Sequence, residues 1–347
     1  MGLTDFYQRG SRVLPAAHSA ALVLAYAHDQ EADVGALLRG AQVGEAAVAG
    51  PDTRITPEAL LRLLQALASA LPEDDTSFRF GQWLLPGHQG AISHALLQAV
   101  NLRQALELLV SHQARLSPLL SPRLMHLGGQ TLLYWTDSCV TPRLRGFLVE
   151  MMMAAVTGMA RWLADQRLPW RYAFNRTRPK HVEQYAVHLG PEVLFGSQLD
   201  AMAIDTHWLD VPWPRGSEAG CAMALAQAER EATDLPRLSL LAGLYDYLQA
   251  RIRCAPSLEK TCADWGTSPA TLKRHLAQHG THFQAELDLV RTHVCLPLIR
   301  DQGLNNEQIA HYLGFHDANN FRRSFKRWTG LTPSGLRDQL LAAADGV

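Results

Sequence analysis

The chain has 347 residues, of which 47% are hydrophobic and 19% charged, and its formal net charge at pH 7 is −1. This length suits two domains better than one. The composition is that of an ordinary globular protein, and the near-zero charge gives no sign that the chain as a whole binds a polyanion.

The charge is unevenly distributed along the chain. Residues 237–341 carry 13 lysines and arginines against 9 aspartates and glutamates, whereas residues 1–236 carry 19 against 23. A mildly acidic N-terminal part followed by a basic C-terminal part is typical of a nucleic-acid-binding module attached to a regulatory body, although chance also produces such a difference.

Cellular location follows from three features of the sequence. The N-terminus, MGLTDFYQRG, lacks the basic start and apolar run of a signal peptide. The most apolar long stretch, residues 144–163, is interrupted by Arg145, Glu150 and Arg161, which argues against a membrane span. The five cysteines are scattered, with no metal-ligand spacing, as expected of reduced thiols. We therefore expect a cytoplasmic protein.

The N-terminal part combines helical and strand patterns. The helical segments are residues 55–71, 101–116, 141–166 and 218–231. The strand segments are residues 124–127 and 131–136 around a Gly128-Gly129 turn, with residues 171–175 and 201–205 further on. This predicts an α+β domain over residues 1–231, mostly helical with a small antiparallel sheet.

A boundary is predicted at residues 232–236, and everything beyond it has helical patterning. Residues 237–341 are expected to form an all-α domain. Within it, SLEKTCADWGTSPATLKRHL (257–276) and NNEQIAHYLGFHDANNFRRSF (305–325) form a degenerate repeat. Gly266 aligns with Gly314, and each follows a short helix that Ser257 or Asn305 can cap.

Each copy has the pattern of a helix-turn-helix unit. Leu272 and Leu276 in the first copy, like Phe321 and Phe325 in the second, lie four residues apart and share a buried stripe. The basic residues fall largely outside that stripe, so each second helix can enter the major groove. The alternative is a helical bundle with a solvated basic face. The presence of two copies favours the helix-turn-helix interpretation over this alternative.

The segment IAHYLGFHDANNFRRSFKRWTGLTPSGLR, residues 309–337, resembles the signature of the AraC/XylS family of transcription regulators. The resemblance covers residues 240–340 and implies that duplex DNA is the partner. It implies base contacts from Ala270, Arg274, Asn319 and Arg323, of which Ala270 offers only methyl contact. Backbone or flanking contacts are implied for Lys273, Arg322, Lys326 and Arg327.

Two residues depart from the family pattern. Cys262 stands where alanine is usual in the first helix and is small enough to fit. Pro297 lies inside the helix that connects the two units, where it removes a backbone hydrogen bond and can kink the helix. The relative placement of the two units is therefore left open by the sequence.

The N-terminal part resembles the arabinose-binding-type regulatory domain of the same family, through FGQWLLPGHQGAISHALLQAVNLRQALELL (80–109), LGPEVLFG (189–196) and LDVPWP (209–214). The resemblance implies a small-molecule effector, a homodimer and recruitment of RNA polymerase. It does not identify the effector. An apolar effector pocket lined by Met152, Met159, Trp162 and Trp135 is one hypothesis, and a plain hydrophobic core is the other.

Three other functions are alternatives to a DNA-binding regulator. An enzyme is disfavoured because the chain lacks G-x-S-x-G, P-loop, G-x-G-x-x-G and H-E-x-x-H motifs, so no catalytic residue or cofactor is predicted. A metal sensor would use His275, His279 and His282, which are spaced four and three apart, but these overlap the first recognition helix. A protein-interaction module without DNA binding is the third.

Overall fold

The computed structural model describes residues 2–48, 50, 53–139, 142–231 and 236–337. The predicted boundary at residues 232–235, the predicted helix start at Thr141 and the last predicted domain residues, 338–341, lie outside the described residues. The chain divides into two compact units. An N-terminal unit holds residues 6–124 and 132–239, and a C-terminal unit holds the chain from Leu240 onward, with residues 2–5 and 125–131 grouped with it.

The N-terminal unit is mainly helical, as expected. Its helices are α1 Ala20–Asp29, α2 Val34–Ala41, α3 Pro57–Ala70, α4 Thr76–Leu84, α5 Ala91–Leu97, α6 Leu102–Ser111, α7 Gln113–Leu116, α8 Arg145–Ala164, α9 Val182–His188 and α10 Glu218–Glu231. Thr56 caps α3 by accepting a hydrogen bond from the Ala59 backbone N–H, and Pro57 takes the first helical position. Short 3-10 helices occur at Glu45–Ala47 and Thr206–Asp210.

Nine strands are described in this unit: β1 Phe6–Tyr7, β2 Leu14–Pro15, β3 Arg54–Ile55, β4 Leu120–Leu127, β5 Gln130–Asp137, β6 Arg171–Phe174, β7 Val193–Phe195, β8 Ala201–Asp205 and β9 Leu238–Ser239. The predicted Gly128-Gly129 hairpin is present, and both glycines have positive φ. Two short pairs, β1 with β9 in parallel and β2 with β3 antiparallel, were not predicted. Because β9 follows residue 236, the prediction that everything beyond the boundary is helical was wrong.

The main sheet has five strands in the order β4-β5-β8-β6-β7. The predicted small antiparallel sheet was wrong, because β6 pairs with β8 antiparallel but with β7 in parallel, Tyr172 opposite Val193. Parallel neighbours need a crossover connection, which α9 supplies between β6 and β7. The three-residue strand β7 is too short to show a two-residue period in the sequence.

Helix α8 is at the centre of the N-terminal core. It packs against α4, where a Cβ on Gly81 would lie 2.2 Å from the Met151 carbonyl oxygen, so the close approach requires glycine. Among the described helices, α8 is long and apolar enough to span a membrane, but 78% of its apolar stretch is buried inside the protein. Its apolar surface is therefore used for core packing.

The buried Glu150 of α8 links this helix to α4, to α9 and to the segment after β6. The Glu150 carboxylate is 6% exposed and accepts hydrogen bonds from Ser77 Oγ at 2.5 Å and Arg176 Nη2 at 2.6 Å, with Tyr185 Oη as a third donor. Pairing with a cation and two hydroxyls compensates the cost of burying this carboxylate.

The C-terminal unit is all helical in its described part beyond β9. Its helices are α11 Leu240–Ala250, α12 Leu258–Asp264, α13 Pro269–Gln278, α14 Phe283–Arg300, α15 Asn306–Tyr312 and α16 Ala318–Thr329, with a 3-10 turn at Ile252–Cys254. The α11 helix packs on α14, where Tyr245 Oη lies 2.9 Å from His293 Nδ1. The two predicted helix-turn-helix units are α12–α13 and α15–α16.

Candidate DNA-binding surface and effector cavity

The first helix-turn-helix unit is set by local signals that the sequence carries. Ser257 Oγ accepts from the Lys260 backbone N–H at 3.2 Å and so caps α12. Gly266 ends that turn with φ +60°, a conformation that glycine adopts without a Cβ clash. Ser268 Oγ caps the recognition helix α13 by accepting from the Thr271 backbone N–H at 3.1 Å.

The second unit repeats this construction with stronger caps. Asn305 and Gln308 form the predicted capping box at the start of α15. Gly314 has φ +73° in the turn. The Asp317 carboxylate caps the recognition helix α16, accepting from both the Asn320 backbone N–H at 2.7 Å and its side-chain amide at 2.8 Å.

Each recognition helix has one buried and one exposed face. Leu272 and Leu276 are fully buried on α13, and Phe321 and Phe325 on α16. The residues expected to contact bases or phosphates are all exposed: Ala270, Lys273, Arg274, Asn319, Arg322, Arg323, Lys326 and Arg327. Because the buried positions recur every four residues, the polar side chains between them share the opposite face, where an incoming duplex can meet them.

Contacts within the C-terminal unit hold the second helix-turn-helix unit in place. Arg291 of α14 lies over the Phe315 ring at 4.7 Å. Arg327 of α16 pairs with Asp288 of α14 at 3.4 Å. A Cβ on Gly314 would lie 3.1 Å from Ala255 Cβ, so the turn of the second unit sits directly against the segment that precedes the first. Sequence reasoning missed Asp288 and Arg291, because their partners are remote in the chain.

Pro297 lies in the last turn of the connecting helix. The helix remains continuous to Arg300, and the Asp301 N–H donates to the Pro297 carbonyl at 2.9 Å. The missing proline N–H therefore costs one hydrogen bond close to the helix end, where it interrupts little of the ladder.

The histidines of the metal-sensor alternative differ in their surroundings. His279 is buried and His282 exposed, whereas His275 is intermediate, and burial together with the neighbouring Arg274 lowers the pKa of the His275 imidazole. Among the residues that the structure describes, no group of three or more histidine, cysteine or acidic side chains is arranged to hold a metal ion.

The N-terminal unit contains a cavity of about 50 Å3. Its lining is mostly apolar, from α1, α3, α4, α8 and the segment before β4, and comprises Leu22, Val23, Leu60, Leu64, Phe80, Leu84, Leu116, Pro118, Leu119, Leu120, Met151 and Met152, with His18, Ser19, Gln89, Arg115 and Ser117 as the polar members. A mostly apolar lining with a few polar groups is typical of a small-molecule site, but this cavity is well below the usual size of one.

The four residues predicted to form an effector pocket are not brought together. Met152 lines the cavity, whereas Met159 and Trp135 are buried outside its lining. Trp162 is 49% exposed, and the Arg215 guanidinium lies over its ring at 5.0 Å. Helical spacing placed Met152, Met159 and Trp162 on α8 but could not show which part of that helix faces the cavity.

A second, larger cavity of about 430 Å3 lies beside α6 and α10 in the same unit. Its lining carries charges of both signs, from Glu107, Arg115, Glu229 and Arg237, together with His112, whose pKa burial lowers. Arg115 lines both cavities. No sequence pattern marks Arg115, because its cavity partners come from elements distant along the chain.

These two units define a class of protein. It is a regulator that binds DNA through one unit and has a cavity for a small ligand in the other. Residues 32–213 match the model of the arabinose-binding domain of AraC transcription regulators, and residues 261–339 match a helix-turn-helix domain model. The first match covers more than half of the chain. The chain belongs to the AraC family of transcription regulators.

Two curated relatives extend over most of the chain. The ornithine utilization regulator of Pseudomonas aeruginosa is 27% identical over 94% of this chain and 97% of its own length. The transcriptional regulator VirS of Mycobacterium tuberculosis is 24% identical over 80% of this chain and 82% of its own length. Both are described as regulators rather than enzymes. The solved structure of the regulator CdpR from P. aeruginosa covers 87% of this chain and 95% of its own, at 21% identity and a TM-score of 0.40.

Proposed function

We propose that this regulator recognises a specific DNA sequence by placing α13 and α16 in major grooves. The observation that carries the proposal is the pair of capped recognition helices, each with an apolar buried face and an exposed polar face. Arg274 and Arg323 are suited to bidentate contact with guanine, Asn319 to adenine, and Ala270 to a thymine methyl group. Lys273, Arg322, Lys326 and Arg327 then hold the register through phosphates.

We further propose that a small-molecule effector bound in the N-terminal unit controls DNA binding, and that the protein acts in the cytoplasm as a homodimeric activator that recruits RNA polymerase. The family membership and the cavities of the N-terminal unit support effector control. Activation, RNA polymerase and dimerisation rest on the family alone. We also propose that residues 1–231 form the regulatory domain and residues 237–341 the DNA-binding domain. We propose no enzyme activity for the chain.

The test is selection of genomic DNA fragments by the purified full-length protein. Arg274→Ala and Arg323→Ala are compared with wild type, and Arg178→Ala, an exposed arginine of the N-terminal unit, is the matched control. Loss of a bidentate base contact should weaken binding by about 1–3 kcal/mol and relax specificity at one base position. The control should bind like wild type. Repeating the selection with ornithine, the compound in that relative's name, tests whether it changes DNA binding by this chain.

Selective binding that falls steeply with salt supports the proposal, because phosphate contacts release counterions. If wild type selects no fragment, with or without cell extract as a source of effector, the repeat is only a helical scaffold. Binding that is equally weakened in the Arg178 control would show that total charge matters, and not the recognition helices.

A further inference from the structure

Three polar side chains that line the smaller cavity donate hydrogen bonds to backbone carbonyls. Ser19 Oγ donates to the Pro15 carbonyl, Ser117 Oγ to the Leu120 carbonyl, and the Gln89 side-chain amide to the His18 carbonyl at 3.1 Å. The Ser19 and Ser117 hydroxyl protons are therefore already in use and are not free to bond a sugar oxygen.

Arg115 differs from these groups. Its side chain is only 11% exposed, and its Nε–H makes no hydrogen bond among the described residues. Its Nη1 reaches the Ala228 carbonyl at 3.3 Å and the Glu231 carboxylate at 3.5 Å, both of which are long for a charge-assisted hydrogen bond. Because these two contacts are long and the Nε–H is unbonded, the Arg115 guanidinium can bind another anion more tightly than it binds Ala228 and Glu231.

The Glu231 carboxylate occupies the place of such an anion. It accepts from the Ala91 backbone N–H at 3.3 Å, and a Cβ on Gly90 would lie 2.9 Å from Glu231 Oε2 and 3.4 Å from His18 Cε1. The carboxylate, the guanidinium and the His18 ring thus form one cluster at the cavity. Burial, and then Arg115, lowers the pKa of His18, so this imidazole is neutral at pH 7 and the cluster has no net charge.

We infer that the cavity binds a small monocarboxylate with a short apolar body, whose carboxylate replaces Glu231 on Arg115. The inference deepens the effector-binding role proposed above and rests on it. The cavity of about 50 Å3 has room for about two water molecules at roughly 30 Å3 each, so the apolar body must be short. Met151 and Met152 line the cavity, and their unbranched side chains can change rotamer to enlarge it.

Replacement of the Glu231 carboxylate by that of the ligand links ligand binding to the segment that leads to the DNA-binding unit. Glu231 is the last residue of α10, and the sequence continues from it to β9 and the DNA-binding unit. A ligand carboxylate on Arg115 keeps the cluster neutral and releases Glu231 from it. Effector binding therefore ends an ion pair at the last turn of the helix that precedes the DNA-binding unit.

The test measures thermal shift and calorimetric binding of butyrate and hexanoate, each beside its neutral amide, on the full-length protein without DNA. We expect the two acids to bind and the amides to bind at least about tenfold more weakly, because the charged hydrogen bonds are lost. Glu231→Gln should tighten acid binding about fivefold or more, since the competing carboxylate is removed. Arg115→Gln should abolish the difference between acid and amide.

The Glu231→Gln result guards against simple misfolding, because a damaged protein does not gain affinity. Equal binding of acids and amides, unchanged affinity in Glu231→Gln, or binding of neither acid at millimolar concentration would each overturn the inference. DNA selection by the ligand-free wild type is scored separately. Its success together with failure of the acids would reject the ligand class and leave the regulator function standing.

Discussion

The two turn glycines of the helix-turn-helix units offer a matched pair for testing how the C-terminal unit is assembled. Gly266 and Gly314 have φ +60° and +73°, so alanine is strained at either position. A Cβ at Gly266 would meet nothing within 4 Å, whereas one at Gly314 would lie 3.1 Å from Ala255 Cβ. Backbone strain alone costs about 1 kcal/mol. We expect about 1 kcal/mol for Gly266→Ala and about 2 kcal/mol for Gly314→Ala.

The additional cost at Gly314 should depend on Ala255. Ala255→Gly removes the methyl group that would be struck, and it also relieves the positive φ of 47° at Ala255 itself. The single variant is therefore no adequate control, and a double-mutant cycle is needed. In that cycle the coupling between Gly314→Ala and Ala255→Gly should be about 1 kcal/mol, while Gly266→Ala combined with Ala255→Gly should be additive.

Differential scanning calorimetry of the full-length protein measures these costs. A chain of two units need not unfold in one step, so the transition of the C-terminal unit is identified as the one that added DNA raises. For a unit of this size, 1 kcal/mol corresponds to about 4–8 °C in Tm. Equal shifts for Gly266→Ala and Gly314→Ala, or no coupling with Ala255, would refute the contact between the second turn and the segment before the first unit.

Three further perturbations test other parts of the structure. Because burial lowers the pKa of His18, the unfolded chain binds its proton more readily, so stability of the N-terminal unit should fall below about pH 6.5. His18→Gln should reduce that fall in a Tm-against-pH series, leaving the part due to His112, whose pKa burial also lowers. Phe321→Ala should cost about 3–5 kcal/mol in calorimetry and abolish DNA binding, since the side chain is fully buried. Asp288→Asn should tighten DNA binding several-fold in gel shifts, because the partner that holds Arg327 at 3.4 Å loses its charge; weaker binding would contradict this.

The C-terminal unit was largely predictable because its signals are local. Ser257, Asn305 and Asp317 cap helices through neighbours two or three residues away, and a glycine at positive φ ends each first helix. A cap, a turn and a four-residue apolar spacing are all complete within about twenty residues. The exposure of Arg323 follows from the burial of Phe321 and Phe325 on the same helix.

The N-terminal unit was less predictable because its sheet and cavity depend on distant residues. Strand β7 is recognisable only through its parallel pairing with β6, and its own three residues carry too little pattern. The cavity cluster brings together His18, Arg115 and Glu231 from three separated elements. The prediction for α8 identified an apolar helix correctly, but a helix buried on nearly all sides has no single face that marks a ligand.

The proposed DNA contacts are divided unequally between the two recognition helices. Beside Arg274, its proposed base-reading residue, α13 exposes one lysine, whereas α16 exposes Arg322, Lys326 and Arg327. Each phosphate contact adds about 0.9 to the slope of affinity against salt on a logarithmic scale, so most of the salt dependence should come from α16. In the proposed arrangement Ala270 supplies α13 with only a methyl contact, so Arg274 is its main source of base discrimination. We therefore infer that α16 supplies most of the affinity and α13 a smaller, more selective share, so that Lys326→Ala should lower the salt slope by about one while leaving base preference intact.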